Sequence, residues 1–150
     1  MRTVRAIALA VVCAAGCAAG APPAATLDTR NEPCRFCRMV ISDQAFASQI
    51  VAPGQEPKFF DDFGCLRSFL DGAPKIAAGS VTYVADHRTR AWVRADAAVF
   101  VEAVSVTAPM GSRVLAYAST ASRDADPDAR DGTTLTLDAV LGAHRPQGGK

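Results

Sequence analysis

The chain has 150 residues, 49% of them hydrophobic, and sixteen Lys and Arg stand against fifteen Asp and Glu for a formal net charge of +1. That length and apolar content suit one domain or two very small ones with a buried core and exclude disorder throughout. No Lys/Arg cluster is dense enough to be a nucleic-acid footprint, so no nucleic-acid partner is expected.

The first seventeen residues differ from the rest. Arg2 and Arg5 flank the start of a short apolar run, Ala6 to Val12, and small residues follow through Ala14-Ala15-Gly16-Cys17. This is the layout of a bacterial export signal. The run is shorter than the ~20 apolar residues a membrane-spanning helix needs, and no later segment reaches that length. Ala14-Ala15-Gly16-Cys17 resembles a lipobox, which makes Cys17 the lipid acceptor and the mature N-terminus, although Ala14 stands where Leu is usual. Ordinary cleavage near Ala19 or Ala21 is the alternative. Cleavage at Cys17 removes Arg2 and Arg5 and takes the formal charge from +1 to −1. Residues 18–30, with Pro22 and Pro23, read as a tether. The expected boundaries are therefore 1–17 for the signal, 18–30 for the tether and 31–150 for the folded domain.

Pro33 opposes a preceding helix and Val40-Ile41 favour extended backbone, which places Cys34 to Cys37 on a turn leading into a strand. Cys37 and Met39 then share a face of that strand. Ala45 to Val51 and Lys58 to Phe60 read as strands separated by the breaker Pro53-Gly54-Gln55-Glu56-Pro57. Asp61 or Asp62 caps a helix running to about Leu70, with Phe63, Leu66, Phe69 and Leu70 on its buried stripe and Asp71-Gly72 at its end.

Val81 to Asp86 alternates as a strand, and Ala91 to Arg94 forms the next one after a polar run. Phe100 to Val106 is extended, Pro109 to Ser112 is a turn, and Arg113 to Ala118 is again strand-like. Ser119 to Arg130 reads as a short polar helix interrupted at Pro127, Thr136 to Leu141 as a final helix, and Pro146 to Lys150 as a frayed tail. Hairpin-length connections make this an α+β fold with small antiparallel sheets.

The chemistry concentrates in Cys34-Arg35-Phe36-Cys37-Arg38-Met39, three sulfurs within six residues. Thiolate and thioether donors together favour Cu(I), whereas zinc sites are completed by Cys, His or carboxylate. A structural disulfide and a redox pair are the competing readings of the same two thiols. The cysteines left after the signal, Cys34, Cys37 and Cys65, are odd in number, so at most one intrachain bridge forms. A thioredoxin-type pair needs its first Cys at a helix N-terminus in a βαβ pattern, which is not evident. Cys65 reads as a small buried hydrophobe, Asp61 and Asp62 as helix caps, and His87 and His144 as exposed. No Ser/His/Asp or Cys/His catalytic arrangement and no phosphate loop is found, so the chain is not expected to be an enzyme.

Three motifs in order, Cys34-Arg35-Phe36-Cys37-Arg38-Met39, Phe60-Asp61-Asp62-Phe63-Gly64-Cys65 and Ala108-Pro109-Met110-Gly111, resemble the NosL family of copper-binding lipoproteins from about Asn31 to Leu141. The resemblance implies two related ββαβ-type halves and a Cu(I) metallochaperone for the copper centres of nitrous oxide reductase or another copper enzyme. It further implies an ABC-type transporter complex as partner and a membrane anchor at Cys17 outside the cytoplasm. Carried over by position, it implies Cys34, Cys37, Met39 and Met110 as metal ligands. An extracytoplasmic thiol-disulfide oxidoreductase using Cys34 and Cys37 is the alternative.

Overall fold

The computed structural model describes residues 20–142; the stretch read as an export signal, Cys17 with its expected lipidation, His144 and the C-terminal tail lie outside the described residues. Strands β1 (Ser48–Val51) and β2 (Lys58–Phe60), helix α1 (Phe63–Asp71) and strands β3 (Val81–Ala85) and β4 (Trp92–Arg94) build the first half. Its sheet runs β2-β1-β3-β4 and every pairing is antiparallel, with Ser48 opposite both Phe60 and Val84. Strands β5 (Val99–Glu102) and β6 (Val114–Tyr117), helix α2 (Thr120–Asp124), strand β7 (Thr133–Leu135) and helix α3 (Leu137–Leu141) build the second. This sheet runs β6-β5-β7, also antiparallel, with Phe100 opposite Ala116 and Leu135.

Each half therefore contains strand, strand, helix, strand with its first strand between the other two, to which the first half adds β4 at the sheet edge and the second adds α3. The α+β class and the two ββαβ-type halves are both present. Period-two alternation then distributes the apolar residues between two cores. On β5, Phe100 enters the main core while Val101 enters a smaller cluster with Leu115, Tyr117 and Ala129. The main core belongs to both halves, since Ile50, Phe59, Phe60, Leu66 and Leu70 pack in one cluster with Phe100, Ala116, Val140 and Leu141. Each such side chain contributes about 1.5–3 kcal/mol on burial, so the halves are joined by their hydrophobic interior.

Several expectations need correction. Part of the stretch read as a tether is docked: Ala25 exchanges two hydrogen bonds with the side chain of Gln49, the Tyr83 hydroxyl donates to Pro22 O at 2.6 Å, and Leu27 is buried. Packing thus begins before Asn31. The strand expected from Ala45 starts only at Ser48, because Gln44–Phe46 forms one 3-10 turn in which the Asp43 carboxylate accepts from Ala45 N. Extended backbone after Phe100 stops at Glu102, and Val106 N turns back to Ala103 O. Strand β7 went unread, since Thr133 and Thr134 are exposed and three residues carry no usable alternation.

Candidate metal centre

The segment Phe60-Asp61-Asp62-Phe63-Gly64-Cys65 carries β2 into α1. Asp62 is extended (φ −151°, ψ 
−177°) and its Oδ1 accepts from Cys65 N at 3.0 Å, the geometry of a side-chain N-cap. That bond places Cys65 in the first turn of the helix, buried at its core-facing end. Helix capping was expected for this aspartate pair; only Asp62 performs it.

The Cys34–Cys37 loop is a tight, internally bonded turn. A Pro33–Val40 bridge closes its base, Cys34 N donates to Met39 O at 2.8 Å, and Arg38 N donates to Cys34 O at 3.0 Å. Arg35 N donates to Phe59 O at 2.7 Å and Asp61 N to Cys34 Sγ at 3.4 Å, so the loop is fastened to the end of β2. The loop and the helix together bring Cys34, Cys37 and Cys65 into one cluster, their Sγ atoms all within 4.8 Å of one another. All three are free thiols; Cys34 and Cys65 are buried and half-buried Cys37 opens the cluster toward solvent.

These distances suit a metal. Metal–thiolate bonds of about 2.3 Å place the sulfurs of a three-coordinate site about 4 Å apart, within the 4.8 Å that bounds the three sulfurs here. The three thiols are not equivalent electrostatically. Burial works to raise Cys34, but backbone N–H groups of Cys37, Asp61 and Phe36 and the Cys37 thiol outweigh it, and its pKa falls below the ordinary value. Burial pushes Cys37 up, aided by the Cys34 thiol and its charge. Cys65 is raised further, by burial first and then by both neighbouring thiols. The set is thus one thiolate-prone sulfur flanked by two that hold their protons, and a cation among them offsets the burial, and after it the neighbouring thiols, that keep those protons on.

Of the residues expected at the site, Cys34 and Cys37 are in the cluster. Met39 is on the same loop, 50% exposed, and does not sit on a strand beside Cys37. The left-handed backbone of Arg38 (φ 68°) breaks the alternation on which that expectation rested. Met110 lies on the turn between β5 and β6, 44% exposed, where Gly111 N closes onto Ala108 O at 2.9 Å and Gly111 adopts φ 80°. That turn is held to the cluster's own helix: Asp62 Oδ2 accepts from Met110 N at 3.1 Å and Ser112 N at 3.2 Å.

Two residues read differently from sequence. Cys65, taken there as a packing residue, is the third thiol of the cluster; its position three residues after a capping Asp was the signal that it faces the helix N-terminus. His87 is not an exposed loop residue but packs against the rings of Phe46 and Tyr117, with Nε2 3.2 Å from Asp128 Oδ2. No helix among the described residues is long and apolar enough to cross a membrane.

The chain matches no curated protein and no solved structure. The NosL family profile matches residues 24–143, a span that includes the Cys34 loop, the β2–α1 junction with Cys65 and the Met110 turn. The chain belongs to the NosL family.

Proposed function

We propose that this chain is an exported, lipid-anchored carrier of Cu(I) that gives its copper to an enzyme under assembly, nitrous oxide reductase or another copper enzyme, with an ABC-type transporter complex as its membrane partner. The observation that carries the reading is the convergence of three thiols within 4.8 Å of one another, Cys34 and Cys65 buried and Cys37 half-buried. Cu(I) accepts two or three soft sulfur donors, so the cluster is a sufficient site without any residue from elsewhere. Family membership supplies copper as the metal.

A carrier must also release its cargo. Phe36, Met39, Val40 and Met110 are four of the five large hydrophobic side chains exposed among the described residues, and all four lie on the Cys34 loop or the Met110 turn. Exposed thioethers beside buried thiols supply neutral donors at the mouth, where copper is exchanged sulfur by sulfur with an incoming partner. Arg35 and Arg38 are exposed on the same loop without an ion pair among the described residues.

The oxidoreductase reading draws on the lowered Cys34 beside the raised Cys37. Against it, Cys34 is 0% exposed, so the more thiolate-prone sulfur has no route to a disulfide on another protein. One experiment separates the two. The mature protein, reduced anaerobically, is titrated with Cu(I) against a competing chelator, beside Cys37→Ser, Met39→Ala and Met110→Ala variants and a thiol-disulfide exchange assay. The carrier reading expects copper retained by the wild type, largely lost in Cys37→Ser and weakened in at least one Met variant, with no catalysed exchange. Catalysed exchange with copper retention unchanged across the variants sinks it.

A further inference from the structure

The Asp62 carboxylate is fully buried and serves three backbone donors from two halves of the molecule. Oδ1 takes Cys65 N, the third residue of α1, while Oδ2 takes Met110 N and Ser112 N from the β5–β6 turn. A helix cap needs only the first of these bonds. The helix α2 of the second half shows this, since its N-cap is Ser119, whose single hydroxyl accepts from Ser122 N at 3.1 Å and is sufficient. The second oxygen of Asp62 is therefore free for another task, and it is spent entirely on the turn that carries Met110.

We infer that Asp62 is a positioning residue: one carboxylate fixes the Cys65 end of the thiol cluster and the Met110 turn in a single geometry, so the thioether is presented at a set place beside the thiols. The inference uses the copper-carrier reading for its consequence, but the positioning itself is a property of the metal-free chain. At the base of the turn Ala103 N donates to Arg113 O at 2.8 Å and Ala108 is buried, while its tip at Met110 and Gly111 is exposed. The Ala108–Gly111 closure shapes it locally, and a Cβ added at Gly111 would meet nothing within 4 Å, so no neighbouring element packs over its tip. On the helix side the fit is close: a Cβ added at Gly64 would stand 3.2 Å from Asp62 Oδ1 and 3.6 Å from Ser112 Cβ. The turn therefore rests on the first turn of α1 at Gly64, with the carboxylate as its clasp. Hydrogen bonds to a buried charged acceptor are stronger than neutral ones, and removing the acceptor leaves the donors unpaired.

The test is Asp62→Ser, which retains a capping hydroxyl like that of Ser119 but removes the oxygen that reaches the turn. Backbone amide exchange on the metal-free protein is expected to speed up at Met110 and Ser112 by about tenfold or more, with the Cys65 amide remaining protected. In a protein labelled with 13C-methyl methionine, the response of the Met110 methyl signal to Cu(I) is expected to be largely lost, while the Met39 signal still responds. Equal loss of protection at all three amides reduces Asp62 to a helix cap and overturns the inference; so does unchanged exchange at Met110 and Ser112. Asp62→Asn covers the case in which the serine variant does not fold. Its one oxygen cannot serve both sides, so protection falls at Cys65 or at the turn, and retention at all three overturns the inference. If wild-type Met110 ignores Cu(I) while the exchange results hold, the copper role of Met110 fails and the positioning role stands.

Discussion

The two halves share a connectivity and differ in what stands at one equivalent joint. In the first half β2 ends at Phe60 and leads through the cap Asp62 to Cys65; in the second, β6 ends at Tyr117 and leads through the cap Ser119 to Ser122. The spacings are identical, with cap two residues after the last strand residue and the next position of interest three beyond. Phe60 and Tyr117 are both fully buried and each cap accepts from the residue three places on. The scaffold thus offers the same inward first-turn position twice, once as a thiol and once as a hydroxyl. What makes one a candidate metal centre is a neighbour: only the first half has a Cys-bearing loop fastened to the end of its strand, through Arg35 N to Phe59 O and Asp61 N to Cys34 Sγ.

The strongest way to break that contrast is to give the first half the second half's residue. Cys65→Ser keeps the cap, the helix and nearly the volume, and replaces one soft donor with a hard one. Cu(I) retention against a chelator is expected to fall by more than about a hundredfold, beyond the ten- to hundredfold cost of losing a mere supporting partner of a ligand. The reciprocal Ser122→Cys is expected to add no second copper, because no thiol loop faces it. A Cys65→Ser protein that retains copper like the wild type would show that the cluster is packing and that the loop thiols and the methionines hold the metal alone.

How much of this was legible beforehand follows from where the information lies. Asp62 as cap, the α1 stripe and the Gly72 stop were readable because capping and 3.6-residue periodicity are local. Cys34 and Cys37 were readable because their spacing is local too. Cys65 was not, since its partners are twenty-eight and thirty-one residues away and a lone Cys in an apolar helix face looks like packing. The left-handed Arg38 escaped for a related reason: nothing in an arginine announces positive φ, and that one dihedral moved Met39 off the face assigned to it. The element order of the second half was visible in outline, but β7 has only three residues and gains its strand character from pairing with Phe100, Val101 and Glu102.

Proton linkage sharpens the comparison within the cluster itself. Cys37 and Cys65 are raised above the ordinary thiol value, so both carry protons near neutrality and must release them to bind metal as thiolates. Copper retention is therefore expected to strengthen as pH rises from 6 to 8, by roughly tenfold per unit for each proton released. Cys65→Ser removes one of those protons and is expected to flatten the slope by about one. A wild-type profile flat across that range would mean that the bound donors are thioethers, which have no proton to lose.

The smallest effect comes from the other buried carboxylate joining the halves. Asp86 follows β3 as a fully buried side chain and also serves two regions: Oδ1 accepts from Arg88 N and Thr89 N, and Oδ2 from Ala118 N at the β6–α2 joint at 2.7 Å. Burial works to raise its pKa, but the backbone N–H groups of Ala118 and Thr89 and the hydroxyls of Ser122 and Thr89 outweigh it, and the folded value lies below 3.8. A carboxylate depressed in the fold contributes stability that is complete above its unfolded value of about 3.8 and is lost as pH falls through the folded value. Asp61 has the opposite sign: burial and then the charge of Asp62 raise it, so the fold gains from its protonation in a separate window above 3.8. Asp86→Asn is expected to cost about 1–3 kcal/mol at pH 7 by denaturant unfolding, with the difference from wild type shrinking below pH 3.8. Because Asp86 belongs to neither the cluster nor the Met110 turn, copper retention is expected to stay near the wild-type value. If Asp86→Asn weakens copper binding as much as Asp62→Ser does, the two joints are not separate devices, and what holds the thioether in place is the packing between the halves.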